Sequence, residues 1–182
     1  YNMWSLAKGM KYGWMFRTPT YGRWGNGYIF DDTYLTPEDA KAEVEEVLGH
    51  KITIGKHIKF DPGAVDKAWI KNCCAIGLSS SFIEPLEASS IGSSIQQMFM
   101  LVHNLHNYDD NSVNRYNESF QSLIKNIRDF IVLHFVCPRN DTKFWQKVAN
   151  TPLPKSLQTK LDTWRNRMPT EIDFDQDTNF IL

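Results

Sequence analysis

The sequence lacks the features that would place it quickly. No apolar run approaches membrane-spanning length and no secretory leader opens the chain, so a cytoplasmic protein with no membrane partner is expected. Charge of either sign is not in excess. Twenty Lys and Arg against 21 Asp and Glu leave a net charge of -1, and no long-range field draws the chain to nucleic acid. Cysteine is scarce. Cys73 and Cys74 are adjacent and Cys137 is alone, which is neither a zinc spacing nor a disulfide framework. All three are expected to be reduced, buried small hydrophobes. His103 and His106 lie three apart near Asp109 and Asp110, but a metal needs three or four converging ligands, so no metal is expected. Without a leader, Asn117-Glu118-Ser119 and Asn140-Asp141-Thr142 read as chance matches to the glycosylation triplet. No repeat and no low-complexity segment occurs. The dinucleotide-binding order of strand, Gly-x-Gly-x-x-Gly and helix is also missing. Gly22-Arg23-Trp24-Gly25-Asn26-Gly27 runs into Tyr28-Ile29-Phe30, which reads as strand.

What is present suits one sizeable core, since 42% of the 182 residues are hydrophobic. The predicted fold class is α+β, β-rich first and helical second. Trp14 to Phe30 reads as a hairpin around the glycine cluster, with Asn26-Gly27 as a tight-turn dipeptide. Thr36-Pro37-Glu38-Asp39 starts a helix with a cap, a first-position proline and acids at the positive dipole end. Ala40, Val44, Val47 and Leu48 form its apolar face, and Gly49 ends it. Ile52–Ile54 and His57–Phe60 read as short strands, followed by an Asp61-Pro62-Gly63 turn. Trp69 to Ile76 reads as a strand covered on both faces. Ile91, Ile95, Met98, Phe99, Val102, Leu105 and His106 share helical spacing, with Met98, Phe99 and Met100 expected in the core. Asp109-Asp110-Asn111 breaks that helix. The next carries a stripe from Val113 to His134 and is closed by Pro138. Asp141 is expected to cap a short helix with Phe144 and Trp145, and a last helix carries Leu157, Leu161, Trp164 and Met168. Residue 1 is Tyr, and the tail from Asp173 to Leu182 stops on apolar residues. The chain reads as an internal piece of a longer polypeptide.

The most informative stretch is Gly77-Leu78-Ser79-Ser80-Ser81-Phe82-Ile83-Glu84-Pro85-Leu86-Glu87-Ala88-Ser89-Ser90-Ile91. A strand, a small polar loop and a helix N-terminus make an anion or cofactor site. Pattern alone leaves Glu84 and Glu87 open between a site and the blander reading of one helix cap and one solvated acid.

The segment Trp69 to Ile91 closely resembles the flavin-dependent tryptophan halogenases, whose hallmark runs Phe-Val/Ile-Glu-Pro-Leu-Glu-Ser/Ala-Thr/Ser after a short apolar strand. Gly13-Trp14-Met15-Phe16-Arg17-Thr18-Pro19 with Gly25-Asn26-Gly27-Tyr28 resembles the family's Trp-x-Trp-x-Ile-Pro motif and following strand. Arg128-Asp129-Phe130 to Phe135, then Asp141-Thr142-Lys143-Phe144-Trp145, resembles a third run. The likeness covers most of the chain, from about Tyr12 to about Trp145, and is expected to continue to the end.

The resemblance implies the C-terminal part of a flavin monooxygenase-like, two-component halogenase fold. It implies FAD, reduced by a separate flavin reductase, and O2 and a halide ion as co-reactants. Hypohalous acid formed through a flavin hydroperoxide halogenates an electron-rich, indole-like arene. By resemblance Glu87 is the catalytic and substrate-orienting carboxylate, and Glu84 is structural. The backbone amides of Ser89 and Ser90 bind halide, Leu78 and Ile91 contact the flavin, and Phe144 and Trp145 line the arene pocket. Residues 1–91 would complete the FAD and halide site, and 92–182 would form a helical substrate-side subdomain. The dinucleotide-binding portion and the family lysine, both N-terminal in the family, are not found here, so an N-terminal segment of the same enzyme is an implied partner. Phe16 stands at the second motif tryptophan, Thr18 at the isoleucine, and Phe135 at a family tyrosine. The first two keep a monooxygenase reading open beside a non-catalytic interaction fragment. With Phe135, a substrate other than free tryptophan is favoured. Gly92 leaves room for bromide or iodide. The sequence leaves oligomer formation open.

Overall fold

The computed structural model describes residues 4–106, 108–170 and 173, so residues 174–182 of the tail lie outside the described residues. In chain order these form β1 (Leu6–Met10), β2 (Gly13–Thr20), β3 (Arg23–Phe30), α1 (Pro37–Leu48), β4 (Gly63–Ala64), β5 (Trp69–Ile70) and β6 (Cys73–Cys74). A short 3-10 turn (Gly77–Ser79), β7 (Ser81–Phe82), α2 (Ser89–Leu105), α3 (Asp110–His134), α4 (Lys143–Asn150) and α5 (Lys155–Trp164) follow. The α+β class is as expected. The chain divides into two compact units, one of residues 1–59 with 137–152, the other of 60–136 with 153–182. Residue 91, the expected boundary, falls inside α2.

The first unit is an antiparallel meander, β1-β2-β3, with α1 and α4. The hairpin is present, but its turn is elsewhere. Thr20 pairs with Arg23 across Tyr21-Gly22, where Gly22 takes a left-handed φ of 76°, and Asn26-Gly27 lies within β3. Gly27 is opposite Phe16, and a Cβ there would come within 2.4 Å of the Phe16 ring, so the glycine makes room for an aromatic. Met10, Met15 and Val44 form the core, with Tyr28, Val47, Leu48 and Ile52 packed on it.

Helix α1 starts and ends as its sequence predicts. Thr36 accepts from the Asp39 amide, Pro37 opens the first turn, and left-handed Gly49 donates to the Glu45 carbonyl. Glu43 on its inner face is a buried carboxylate that the apolar pattern does not reveal. It accepts from the Lys11 amide (2.8 Å) and the Tyr28 hydroxyl (3.0 Å), and burial with this neighbouring carboxylate pushes the Tyr28 hydroxyl pKa up. Residues 51–62 form no strand, against expectation. The Ile52 amide donates to Glu45 Oε1 (3.0 Å), while Ile54 and Ile58 are exposed with no strand to pair with among the described residues. Asp141 does not cap α4. It is paired with Arg139 (2.7 Å), and Thr142 accepts from the Trp145 amide instead.

In the second unit, Trp69 to Ile76 is a two-residue hairpin and not one buried strand. Trp69 pairs with Cys74 and Ile70 with Cys73 across a turn where Lys71 has φ 53°. That turn points Ile70 and Cys73 into solvent. Cys73 and Cys137 are therefore exposed and Cys74 only half-buried, contrary to the expectation of three buried thiols. Asn117, in the glycosylation-like triplet, is buried. It accepts from the Trp69 amide (2.9 Å) and donates to the Trp69 carbonyl (2.8 Å). The core gathers Ala68, Trp69, Tyr116 and Phe120, with Met100, Leu101, Val113 and Ile124 packed on it.

Helix α3 begins at its expected breaker, where Asp109 accepts from the Ser112 amide (2.7 Å). His134 is exposed and not in the packed stripe. Its Nδ1 lies 2.8 Å from the Phe130 carbonyl and its ring meets Phe130 edge-on. Met168 is likewise exposed, four residues beyond the end of α5.

Candidate active site

The candidate site is the turn between β7 and α2. β7 pairs with β4 through Gly63–Phe82 and Ala64–Ser81, which holds the strand end. Before it, Gly77 takes a left-handed φ of 66°, and a Cβ there would meet Ser94 Oγ at 2.9 Å. Buried Ser80 locks this corner, its hydroxyl lying 2.8 Å from the Gly77 carbonyl and 2.7 Å from Gln97 Oε1 on α2. Gln97 is fully buried. The 3-10 turn and α2 are thereby tied together on both sides of the loop.

Pro85 restricts the chain and Leu86 anchors it in the interior. Glu87 and Ala88 then both take left-handed backbone, φ 51° and 54°, before the right-handed turns of α2 begin. Each such residue costs about 1–2 kcal/mol relative to right-handed backbone. The turn is closed by the Ser89 amide donating to the Leu86 carbonyl (3.0 Å) and the Ser89 hydroxyl donating to the Glu84 carbonyl (3.2 Å). Glu87 is thus held, exposed, at the tip of a strained turn one residue from a helix N-terminus. Left-handed Ala88 followed by right-handed Ser89 is the backbone alternation that gathers amides into an anion-binding concavity. A first-turn amide such as that of Ser90 is of the class without an intrahelical carbonyl partner.

A small, shallow recess lies beside the turn, lined by Ser81, Ile83, Glu84, Ser89, Ser90, Ser93 and Ile127. Glu84 lines it and Glu87 does not. The sequence reading missed this part of Glu84's position, and missed Ser93 and Gln97. The findable signal was the spacing of Ser89, Ser93 and Gln97, four residues apart, which puts three polar side chains on one face of α2. Leu78 and Ile91, the expected flavin contacts, are 71% and 65% exposed. Met98 and Phe99 are exposed rather than core, and Met100 is half-buried, because α2 turns its polar face inward.

Phe144 and Trp145 belong to the first unit, whereas Glu87, Ser89, Ser90, Leu78 and Ile91 belong to the second. Phe144 meets Trp145 edge-on at 5.1 Å. Trp145 is 4% exposed, its indole N–H donates to the Met10 carbonyl (2.8 Å), and Arg139 lies over its ring. Among the described residues no group of three or more His, Cys, Asp or Glu side chains could hold a metal, and no helix is long and apolar enough to cross a membrane.

Residues 2–180 match the family model described as tryptophan halogenase. The chain belongs to the tryptophan halogenase family. It is 33% identical over 170 residues to the 7-chloro-L-tryptophan 6-halogenase KtzR of Kutzneria sp. (strain 744), covering 91% of this chain and 33% of that protein. A thermophilic tryptophan halogenase from Streptomycin violaceusniger superposes with a TM-score of 0.86 at 32% identity, covering 93% of this chain and 34% of the other. BrvH, a flavin-dependent halogenase from Brevundimonas sp. BAL3, superposes with a TM-score of 0.81 at 31% identity, with 93% and 37% covered. The chain therefore spans about a third of the length of the relatives it matches.

Proposed function

We propose that this chain is the substrate-side portion of a flavin-dependent halogenase that halogenates a small, electron-rich arene of the indole class. The observation that carries the reading is Glu87, exposed on the left-handed turn that opens α2. FAD, when bound and reduced by a separate flavin reductase, supplies with O2 and halide the oxidised halogen. Leu78 and Ile91, both apolar and exposed, are assigned to the flavin ring on the family resemblance. Among the described residues no strand–glycine–helix turn is present to hold the cofactor's pyrophosphate, so that task falls to the rest of the enzyme.

The work of this chain's own residues is electrostatic and positional. Glu87 orients the halogenating species and takes the proton that the arene loses, which requires a fixed negative group. The first-turn amides at Ser89 and Ser90 face the halide at the positive end of α2. The Ser89 amide is engaged by the Leu86 carbonyl, so Ser90 takes the larger share. Phe144 and Trp145 are assigned to the arene on the family resemblance alone. Relatives named as tryptophan halogenases support the indole class, and Phe16, Thr18 and Phe135 favour an indole, azaindole or phenol-like ring other than free tryptophan. The proposed location is the cytoplasm.

Phe16 also carries a second reading, a hydroxylating monooxygenase, because it replaces a motif tryptophan and its ring fills the space over Gly27. One experiment separates the two. The full-length protein is incubated with FAD, flavin reductase, O2 and bromide or iodide, and products are weighed by mass spectrometry. Halogen uptake is expected. Oxygen uptake without halogen selects the monooxygenase. Glu87→Gln is expected to abolish halogenation while flavin reduction and reoxidation continue at the parent rate; unchanged halogenation in that variant removes Glu87 from its role.

A further inference from the structure

Three polar side chains of α2 turn inward, Ser89, Ser93 and Gln97. The two serines spend their hydroxyls on nearby carbonyls, Ser89 on Glu84 (3.2 Å) and Ser93 on Ser90 (3.0 Å). Gln97 does something else. It is fully buried, its Oε1 accepts from the Ser80 hydroxyl (2.7 Å), and its Nε2 has no partner among the described residues. A buried donor without a partner carries a desolvation cost. Methionine would fill a similar volume without that cost, so packing does not account for a carboxamide here. What the carboxamide alone supplies is the bond to Ser80.

Ser80 in turn closes the 3-10 turn. Its amide donates to the Gly77 carbonyl at 2.9 Å, and its hydroxyl lies 2.8 Å from the same oxygen. Gly77 runs close against α2, since a Cβ on its left-handed backbone would meet Ser94 Oγ at 2.9 Å. The 3-10 turn therefore meets α2 at two points three residues apart on the helix, Ser94 against Gly77 and Gln97 against Ser80. The first is a steric contact. The second is directional.

We infer that Gln97 is a positioning residue of the candidate site, holding the 3-10 turn in register with the first turn of α2 through Ser80. The inference rests on the proposed function for what the two elements carry. Leu78, assigned to the flavin, is on the 3-10 turn, and the Ser89 and Ser90 amides, assigned to the halide, open α2. The separation of these elements sets how halide and flavin meet, and rate gains from proximity are lost with small displacements. Gln97 is enclosed and acts through Ser80.

The test is Gln97→Met in the full-length protein, which keeps the volume and removes the carboxamide. Ser80 keeps the Gly77 carbonyl as an acceptor, so no new unpaired group is created. The urea midpoint is expected to stay at or above that of the parent. Hydrogen exchange followed by mass spectrometry is expected to be several-fold faster in the segment around Gly77 to Ser80, with the α3 segment around Phe120 unchanged. The halide concentration giving half-maximal halogenation is expected to rise several-fold, with that of the arene unchanged. Parental exchange at Gly77 to Ser80 overturns the inference. A lowered midpoint with faster exchange in both segments, or a rise in both half-saturating concentrations, marks Gln97 as packing and also overturns it. Faster exchange with parental halide dependence leaves a structural bond only, with the same consequence. Ser80→Ala breaks the bond from the other side and is expected to reproduce the faster exchange, and it decides alone where Gln97→Met does not fold. The outcome is separable from the proposed chemistry. In a parent that does not halogenate, faster exchange at an intact midpoint keeps the positioning role and removes the reaction. Halogenation with unchanged exchange and unchanged halide dependence does the reverse.

Discussion

Helices α2 and α3 pack against one another in the same unit and obey opposite rules. α3 is amphipathic in the usual sense: Tyr116, Phe120, Leu123, Ile127 and Ile131 are buried, and Asp110, Arg115, Glu118, Lys125 and Arg128 lie along the rest. Even its buried carboxylate is paired, Asp129 with Arg128 (3.1 Å) and Lys160 (3.4 Å). α2 buries serines and a glutamine and exposes its hydrophobes. α3 begins on a side-chain cap, whereas α2 begins on two left-handed residues with no side-chain cap. The difference separates two tasks. α3 holds this unit together. α2 opens on a turn whose backbone is strained at Glu87 and Ala88.

The largest test of this contrast is a pair of truncations. Phe120→Ala empties a fully buried site and is expected to destabilise the chain by about 3–5 kcal/mol. Phe99→Ala, on the exposed face of α2, is expected to stay within about 0.5 kcal/mol of the parent. Urea unfolding of both variants measures the difference, and comparable losses would show that α2 has a covered apolar face. A smaller effect is expected at the start of α2. Ala88→Gly removes the left-handed penalty and adds backbone entropy to the unfolded chain, for a net gain of about 0.5–1 kcal/mol. A loss of stability there would mean that Ala88 is not strained.

The smallest effect is a pH dependence that α3 has and α2 lacks. The Ser112 amide holds the Asp109 carboxyl below its ordinary value of 3.8. A depressed carboxylate contributes stability above its unfolded pKa and loses it as pH falls through the folded value. The Ser112 amide resonance is therefore expected to move only as the pH drops below about 4, followed by NMR. A Ser112 shift that titrates at or above the ordinary carboxylate value would remove the cap. α2 has no carboxylate cap to lose.

Much of the fold was legible because local signals agreed. Thr36, Pro37 and Gly49 bound α1, and Asp109 starts α3, since caps and left-handed glycines are decided within a few residues. The hairpin was legible but its turn was not: Asn26-Gly27 is a strong local turn signal, overruled because Gly27 is needed opposite Phe16. The strands expected at 52–54 and 57–60 and the covered strand at 69–76 failed for the same kind of reason, as a strand requires a partner that a sequence window does not contain. The motif from Gly77 to Ile91 was found in the sequence, with Leu78 on the 3-10 turn before β7 and Glu84, Glu87, Ser89, Ser90 and Ile91 running through the turn into α2. The sequence did not show that Glu84 lines the recess while Glu87 stands outside it.

The amino-acid sequence by itself determined the family, the α+β class and the capped starts of α1 and α3, because these depend on residue identity and short spacing. Only the tertiary structure decided which side of α2 is inside. Period-3.6 spacing marks an apolar face without saying what it faces. Gln97 meets Ser80, 17 residues back in the chain, a contact that spacing within the helix does not contain. That is why a helix that reads as core in one dimension is a surface in three.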